Sequence, residues 1–318
     1  MGAFVPWTSA FLCLTLGLAA ETLGVRKSLN GENESGPAVI RLLQHVSLSA
    51  ITAVLTTSPG AQGTSGAGPS GWHLVWHDEF DGDGVDTSKW ICQIGTGPPE
   101  GPVDWGNGEL EYYRQENAVI HDGALHIIAK REDYGGKAYT SARLRTKGKG
   151  DWTYGRIEFR AKLPTGQGLW PALWMMPTDS VYGSWAASGE IDVMEAKGHI
   201  PNQVSGTLHY GGSFPRNVHS GGSYVFPSGN YSDNFHTYAL EWEPEEIRWY
   251  VDGAHYLTKT QWYTTGGESP APFDQDFHIL MNLAVGGNYL KPNNDPSQTR
   301  FPKELVIDYV RVYQRPRE

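Results

Sequence analysis

Cysteine is nearly absent from this 318-residue chain, which holds only Cys13 and Cys92. Cys13 falls in a stretch that reads as a targeting segment, leaving one thiol and no internal disulfide. Cys92 reads as a small buried hydrophobe. Basic residues are also scarce, with 25 Lys and Arg against 35 Asp and Glu, a net charge of −10. That balance excludes nucleic-acid binding through an electrostatic footprint. It also weighs against a polyanion as partner. No stretch longer than about ten residues carries a 3.6-residue apolar period. There is no internal repeat, and glycine-rich patches such as GGNYLK (286–291) lack P-loop spacing.

What the chain does have is turn formers and aromatics: 39 Gly, 20 Pro, 12 Trp and 16 Tyr. From Trp72 onward, short segments alternate apolar and polar residues between Gly, Asn, Asp or Pro. Examples are ALHIIAK (124–130), GRIEFRAKL (155–163), HTYALEWE (236–243), IRWYVDG (247–253) and LVIDYVRVY (305–313). Period-2 alternation is the mark of half-buried strands, so residues 72–318 read as one antiparallel β-sandwich. Residues 1–58 read as a signal or targeting region. The apolar run Ala10–Ala20 is too short to span a bilayer. A second run, Val46–Leu55, follows Arg41 and precedes small residues, so a start near Val39 is expected. Residues 59–71 (PGAQGTSGAGPSG) read as a flexible linker. The expectation is an exported monomer with no membrane segment once mature.

The most informative segment is Ser188-Gly189-Glu190-Ile191-Asp192-Val193-Met194-Glu195-Ala196. On a strand, Glu190 and Asp192 share one face while Ile191 and Val193 point into the core. Glu195, at i+5, would then face the core, where an unpaired carboxylate is costly. One extra residue, a β-bulge at Val193 or Met194, returns it to the acidic face. Three carboxyls on one face repel and raise some pKa. Retaining glycoside hydrolysis uses that arrangement, with one carboxylate nucleophile and one carboxylic acid. In this reading Glu190 attacks, Glu195 is the acid/base, and Asp192 orients Glu190 through a hydrogen bond. The competing readings are a solvated acidic edge or a calcium site. Upstream, Trp170 and Trp174 in GLWPALWMMP (168–177) share a face; downstream, GTLHYGG (206–212) sets His209 opposite Leu208 and Tyr210.

GEIDVMEAKGH (189–199), GLWPALWMMP, WGNGELEYY (105–113), GTLHYGG, HTYALEWEPEEIRWYVDG (236–253) and NLAVGGN (282–288) together resemble the family 16 glycoside hydrolases. Within that family they are similar to the laminarinase group, whose E-x-D-x-x-E carries one residue more than the E-x-D-x-E of other members. The resemblance implies a concanavalin-like β-jelly-roll of two curved antiparallel sheets, with a substrate cleft on the concave face. It implies a β-glucan substrate and sugar platforms at Trp170 and Trp174, with Trp185 a further candidate. Asn107 and Arg143 would hydrogen-bond glucose, and His209 would approach the acid/base. Glu109 and Glu111 would be structural or rim residues. The resemblance also implies one structural Ca2+, held by the Asp308 carboxylate and backbone oxygens near Glu79 and Gly123, and no cofactor for catalysis. Two further readings stand beside this one: a β-glucan-binding protein without activity, and a hydrolase of agar or carrageenan.

Overall fold

The computed structural model of the chain describes residues 71–316. The targeting segment 1–58, and all of the linker except residue 71, lie outside them. The described residues form two stacked sheets. The ten-stranded sheet runs in the order Ala254–Lys259, Glu246–Val251, His236–Glu243, Gly155–Lys162, Lys303–Gln314, Ala124–Tyr134, Lys137–Ser141, Glu111–Tyr113. His73–Asp78 joins it beside Lys303–Gln314, and Ala118–His121 beside Ala124–Tyr134. The eight-stranded sheet runs Asn217–Val225, Gln203–Gly211, Glu190–Ala196, Leu169–Pro177, Phe277–Val285, Arg143–Arg145, Ile91–Cys92, with Asp151–Trp152 on Phe277–Val285. This is the expected jelly-roll sandwich. One pairing departs from the antiparallel expectation: Glu111–Tyr113 runs parallel to Lys137–Ser141. Helical structure among the described residues is limited to short 3-10 turns, of which the longest is Val103–Gly106.

The alternation seen in the sequence becomes the inside and outside of each sheet. Ile157, Phe159 and Ala161 point inward from one sheet; Leu169, Leu173 and Met175 point inward from the other. Trp242, Trp249, Phe273 and Phe277 fill the space between. Each such side chain contributes about 1.5–3 kcal/mol through burial. Phe277–Val285 is buried along its whole length because it runs through the middle of its sheet. Cys92 is half-buried against this core, and burial pushes its thiol up to about 11, so it stays protonated.

Candidate active site

The acidic strand Glu190–Ala196 is bulged. Against its neighbour Leu169–Pro177, Met194 pairs with Leu173 and Asp192 with Trp174, leaving Val193 unpaired. Against Gln203–Gly211, two residues between Asp192 and Glu195 face the single Gly206. Val193 and Met194 both turn into the core, which returns Glu195 to the face of Glu190 and Asp192. Trp249, reaching across from the other sheet, donates its indole N–H to the Asp192 carbonyl at 2.9 Å, inside the bulge. A side chain at Gly206 would collide with that indole.

Cross-strand register brings the functional side chains together in rows. Ser205, Glu195, Ala172, Asn282 and Arg143 lie side by side across five strands. The next row holds Thr207, Asp192, Trp174 and Leu280. His209 lies directly opposite Glu190. The small Ala172 leaves room over Glu195, which accepts the Trp170 indole N–H at 3.0 Å. Glu190 accepts the Trp185 indole N–H at 2.8 Å. Trp185 sits in a 3-10 turn with φ of +47°, a left-handed conformation that costs a bulky residue about 1–2 kcal/mol. That conformation aims its ring at the nucleophile position rather than into the core.

Two expectations change. His209 was expected near the acid/base, but its Nε2 lies 3.4 Å from Asp192 Oδ2 and 3.7 Å from Glu190 Oε1. The register opposite Glu190 is the reason. Asp192 was expected to hydrogen-bond Glu190. Instead Glu190 takes its hydrogen bond from Trp185, and Asp192 acts on it through charge.

Burial, then Asp192, raises the Glu190 carboxyl to about 7, while His209, Trp185 and Arg143 pull it back. Burial, then Asp192, holds Glu195 well above the usual carboxylate range. Burial pulls His209 down, but Asp192, Glu190 and Glu195 outweigh it and hold the imidazole up to about 9. At neutral pH the site therefore holds an imidazolium beside Glu190, and burial with Asp192 biases Glu195 toward its protonated form.

Trp170 and Trp174 both face outward from their strand, as read. Arg143 is only 9% exposed: its Nε donates to Gln93 at 2.7 Å, and its guanidinium lies between the rings of Trp105 and Trp174, at 4.3 and 4.8 Å. It supports a platform more than it offers an open donor. Asn107 is half-buried in the loop that docks on the end of Phe277–Val285, and its Nδ2 donates to Glu109 at 3.3 Å. Glu109 and Glu111 are buried, not rim residues. Sequence reasoning missed Asn282, Tyr113 and Tyr289. Asn282 accepts the Trp174 indole N–H at 2.8 Å. Tyr289 packs against Trp170, with ring centroids 4.9 Å apart. The signal for Asn282 was its place inside the apolar run FHILMNLAV.

The residues expected to hold calcium lie on the other sheet. The strand Lys303–Gln314 leaves Ala124–Tyr134 at Ile307 and takes up His73–Asp78 at Val310. Asp308 sits at that junction, near the Gly123 turn and Glu79. One carboxylate with main-chain carbonyls suits Ca2+. The Asp308 carboxylate here accepts from Arg160 at 2.5 Å, and the Glu79 carboxylate from Arg311 at 2.7 Å. Arg160 is 40% exposed and also lies over the Phe235 ring at 4.9 Å, so an ion at Asp308 would have to displace its guanidinium. Two other clusters bring metal-binding atoms within 4.8 Å: Glu190, Asp192 and His209 in the site, and His121, His126 and Glu304 on the ten-stranded sheet. In the latter the imidazoles stack nearly parallel, centroids 3.5 Å apart, so their lone pairs do not converge.

Buried carboxyls side by side in an aromatic-lined site on a β-sandwich are the arrangement that glycoside hydrolysis uses. The family model for glycosyl hydrolases family 16 matches residues 105–311, and the chain belongs to that family. It is 46% identical over 261 residues to glucan endo-1,3-beta-glucosidase A1 of Niallia circulans, covering 77% of this chain and 38% of that protein. The chain thus spans well under half the length of that relative. It is 47% identical over 254 residues to the beta-glucanase of Rhodothermus marinus, covering 76% of this chain and 85% of that one. Among solved structures, the laminarinase catalytic domain of Thermotoga maritima superposes with a TM-score of 0.69 at 40% identity, covering 77% of this chain and 99% of that one.

Proposed function

We propose that this chain is an exported, monomeric endo-β-1,3-glucanase that hydrolyses laminarin-type glucan with retention, and mixed β-1,3/1,4-glucan as a lesser substrate. The observation that carries the proposal is the bulge that sets Glu190, Asp192 and Glu195 on one face among Trp170, Trp174 and Trp185. The similarity to a glucanase and a laminarinase supports the substrate class. Glu190 attacks the anomeric carbon as the glycosidic bond breaks, and Glu195 gives its proton to the leaving oxygen. The glycosyl–Glu190 ester is then cleaved by water. Glu195 takes the water proton, the oxygen bonds the anomeric carbon, and Glu190 leaves as carboxylate. The imidazolium of His209 and the Trp185 indole N–H favour ionised Glu190, both as nucleophile and as the group that leaves the ester. A Ca2+ at Asp308, with carbonyls near Glu79 and Gly123, stabilises the far sheet and takes no part in the reaction. A thermal midpoint that does not move on chelation rules that ion out.

The test is reducing-sugar release from laminarin, lichenan, agarose and κ-carrageenan by wild type, Glu190→Gln and Glu195→Gln. Laminarin cleavage lost in both variants supports the assignment. Binding to laminarin without cleavage favours the non-catalytic reading. Cleavage of agarose or κ-carrageenan alone keeps the mechanism and overturns the substrate.

A further inference from the structure

Behind the sugar platforms lies a pair of acids that the reaction does not use. Glu111 is fully buried and Glu109 is 2% exposed. Neither carboxylate has an Arg or Lys partner among the described residues. Glu109 accepts on both oxygens: Oε2 from the Tyr113 hydroxyl at 2.9 Å, and Oε1 from Asn107 Nδ2 at 3.3 Å. Glu111 Oε2 accepts from the Val285 amide at 2.7 Å, whereas its buried Oε1 has no conventional partner. The Glu109 carboxyl is its side-chain neighbour, so one proton shared between the two acids answers both the orphan atom and the buried like charges. Burial first, and Glu109 second, push the Glu111 carboxyl well above its ordinary range.

From Glu109 a directed chain runs to the platform. The Tyr113 hydroxyl donates to Glu109, so it accepts from Asn282 Nδ2 at 3.2 Å. That fixes the amide of Asn282 with its oxygen toward the Trp174 indole N–H at 2.8 Å. A Glu109 carboxylate can only accept and the Trp174 indole N–H can only donate, so the two ends agree on the direction of every bond between them. We infer that Glu109 and Glu111 form a buried carboxylate–carboxylic acid pair whose function is to position Trp174, through Tyr113 and Asn282, and Asn107 directly, for glucan binding. They are positioning residues, and the inference rests on the proposed role of Trp174 and Asn107 as sugar contacts.

The arrangement makes the two acids unequal under the same substitution. In Glu111→Gln the amide oxygen still accepts from Val285 and the NH2 still donates to Glu109, as the protonated acid does. In Glu109→Gln one acceptor becomes a donor. It then either opposes Asn107 Nδ2 or reverses Tyr113, which flips Asn282 and sets its NH2 against the Trp174 N–H. The test measures kcat and KM on laminarin together with the Trp174 indole 1H–15N resonance, assigned with Trp174→Phe, in the full chain. Glu111→Gln is expected to stay within about twofold of wild type and leave the resonance in place. Glu109→Gln is expected to raise KM about tenfold with a smaller change in kcat, and to move the resonance. Tyr113→Phe, which cuts the relay alone, is expected to move it too and serves if Glu109→Gln does not fold. Equal behaviour of the two Gln variants, or an unmoved resonance in Tyr113→Phe, overturns the inference. A wild type without activity on laminarin sinks the proposed function but leaves the resonance test standing.

Discussion

On the ten-stranded sheet, Glu79, Glu158, Glu241, Glu243 and Glu246 each face an arginine. On the eight-stranded sheet, Glu190, Asp192 and Glu195 face two tryptophans, one histidine and each other. The chemistry of the side chains is the same, but the outcome is opposite. Burial would raise Glu241, yet Tyr250, Arg156 and Arg248 hold it below its usual value. Nothing comparable offsets burial at Glu190 and Glu195, and both rise. One face uses carboxylates to stabilise the fold. The other keeps them short of partners, so that one carboxyl retains its proton beside another that can ionise.

The comparison breaks most sharply if the unsatisfied acids are removed. Glu190→Gln or Glu195→Gln is expected to lower laminarin hydrolysis roughly 10²–10⁴-fold. The fold should respond in the other direction. Glu190 has a folded pKa of about 7, raised above its ordinary value near 4.5. Between those values the native state holds the proton more tightly than the unfolded chain, so stability falls as pH rises and stays lower above pH 7. Glu190→Gln should therefore stabilise by about 1–3 kcal/mol at pH 8 and by little at pH 4.5, as read by denaturant unfolding at the two pH values.

The converse holds on the other sheet. Arg156→Met strips Glu158 and Glu241 of a nearly buried partner. It is expected to cost about 2–4 kcal/mol in denaturant unfolding while leaving kcat unchanged. Between the two sheets, Gly206→Ala should overpack Trp249 against the bulge, costing about 1–3 kcal/mol by the same measurement and lowering kcat as well. The smallest effect is expected from Trp170→Phe, which keeps a ring but removes the donor to Glu195. That donor lowers the Glu195 pKa, so its loss should move the alkaline limb of the kcat profile to higher pH. A kcat change of about tenfold or less is expected.

The sandwich was legible because alternation of side chains is a local property that tertiary structure only has to respect. The bulge was legible for the same reason, since Glu195 at i+5 made a regular strand untenable. Partners were less so. Which carboxylate His209 approaches depends on strand register, and that is set by Thr207 meeting Asp192 and by Gly206 facing the bulge. The cage around Arg143 draws on residues 93, 105 and 174 from three separate elements. No local pattern announces it. Tyr113 and Glu109 gave a faint signal as polar groups in WGNGELEYY, but their meaning appears only when the loop docks on Phe277–Val285.

The contact of Trp249 with the bulge ties the spacing of the acids to the packing between the sheets. Shortening E-x-D-x-x-E to E-x-D-x-E is therefore no simple deletion in a surface strand. Removing Val193 would restore one-to-one pairing opposite Gly206, but it would withdraw a core side chain and shift the Asp192 carbonyl relative to the indole. Those positions would have to change in concert. The length of the acidic motif is thus a property of the core as much as of the cleft, because Trp249 from the facing sheet is built to fit it.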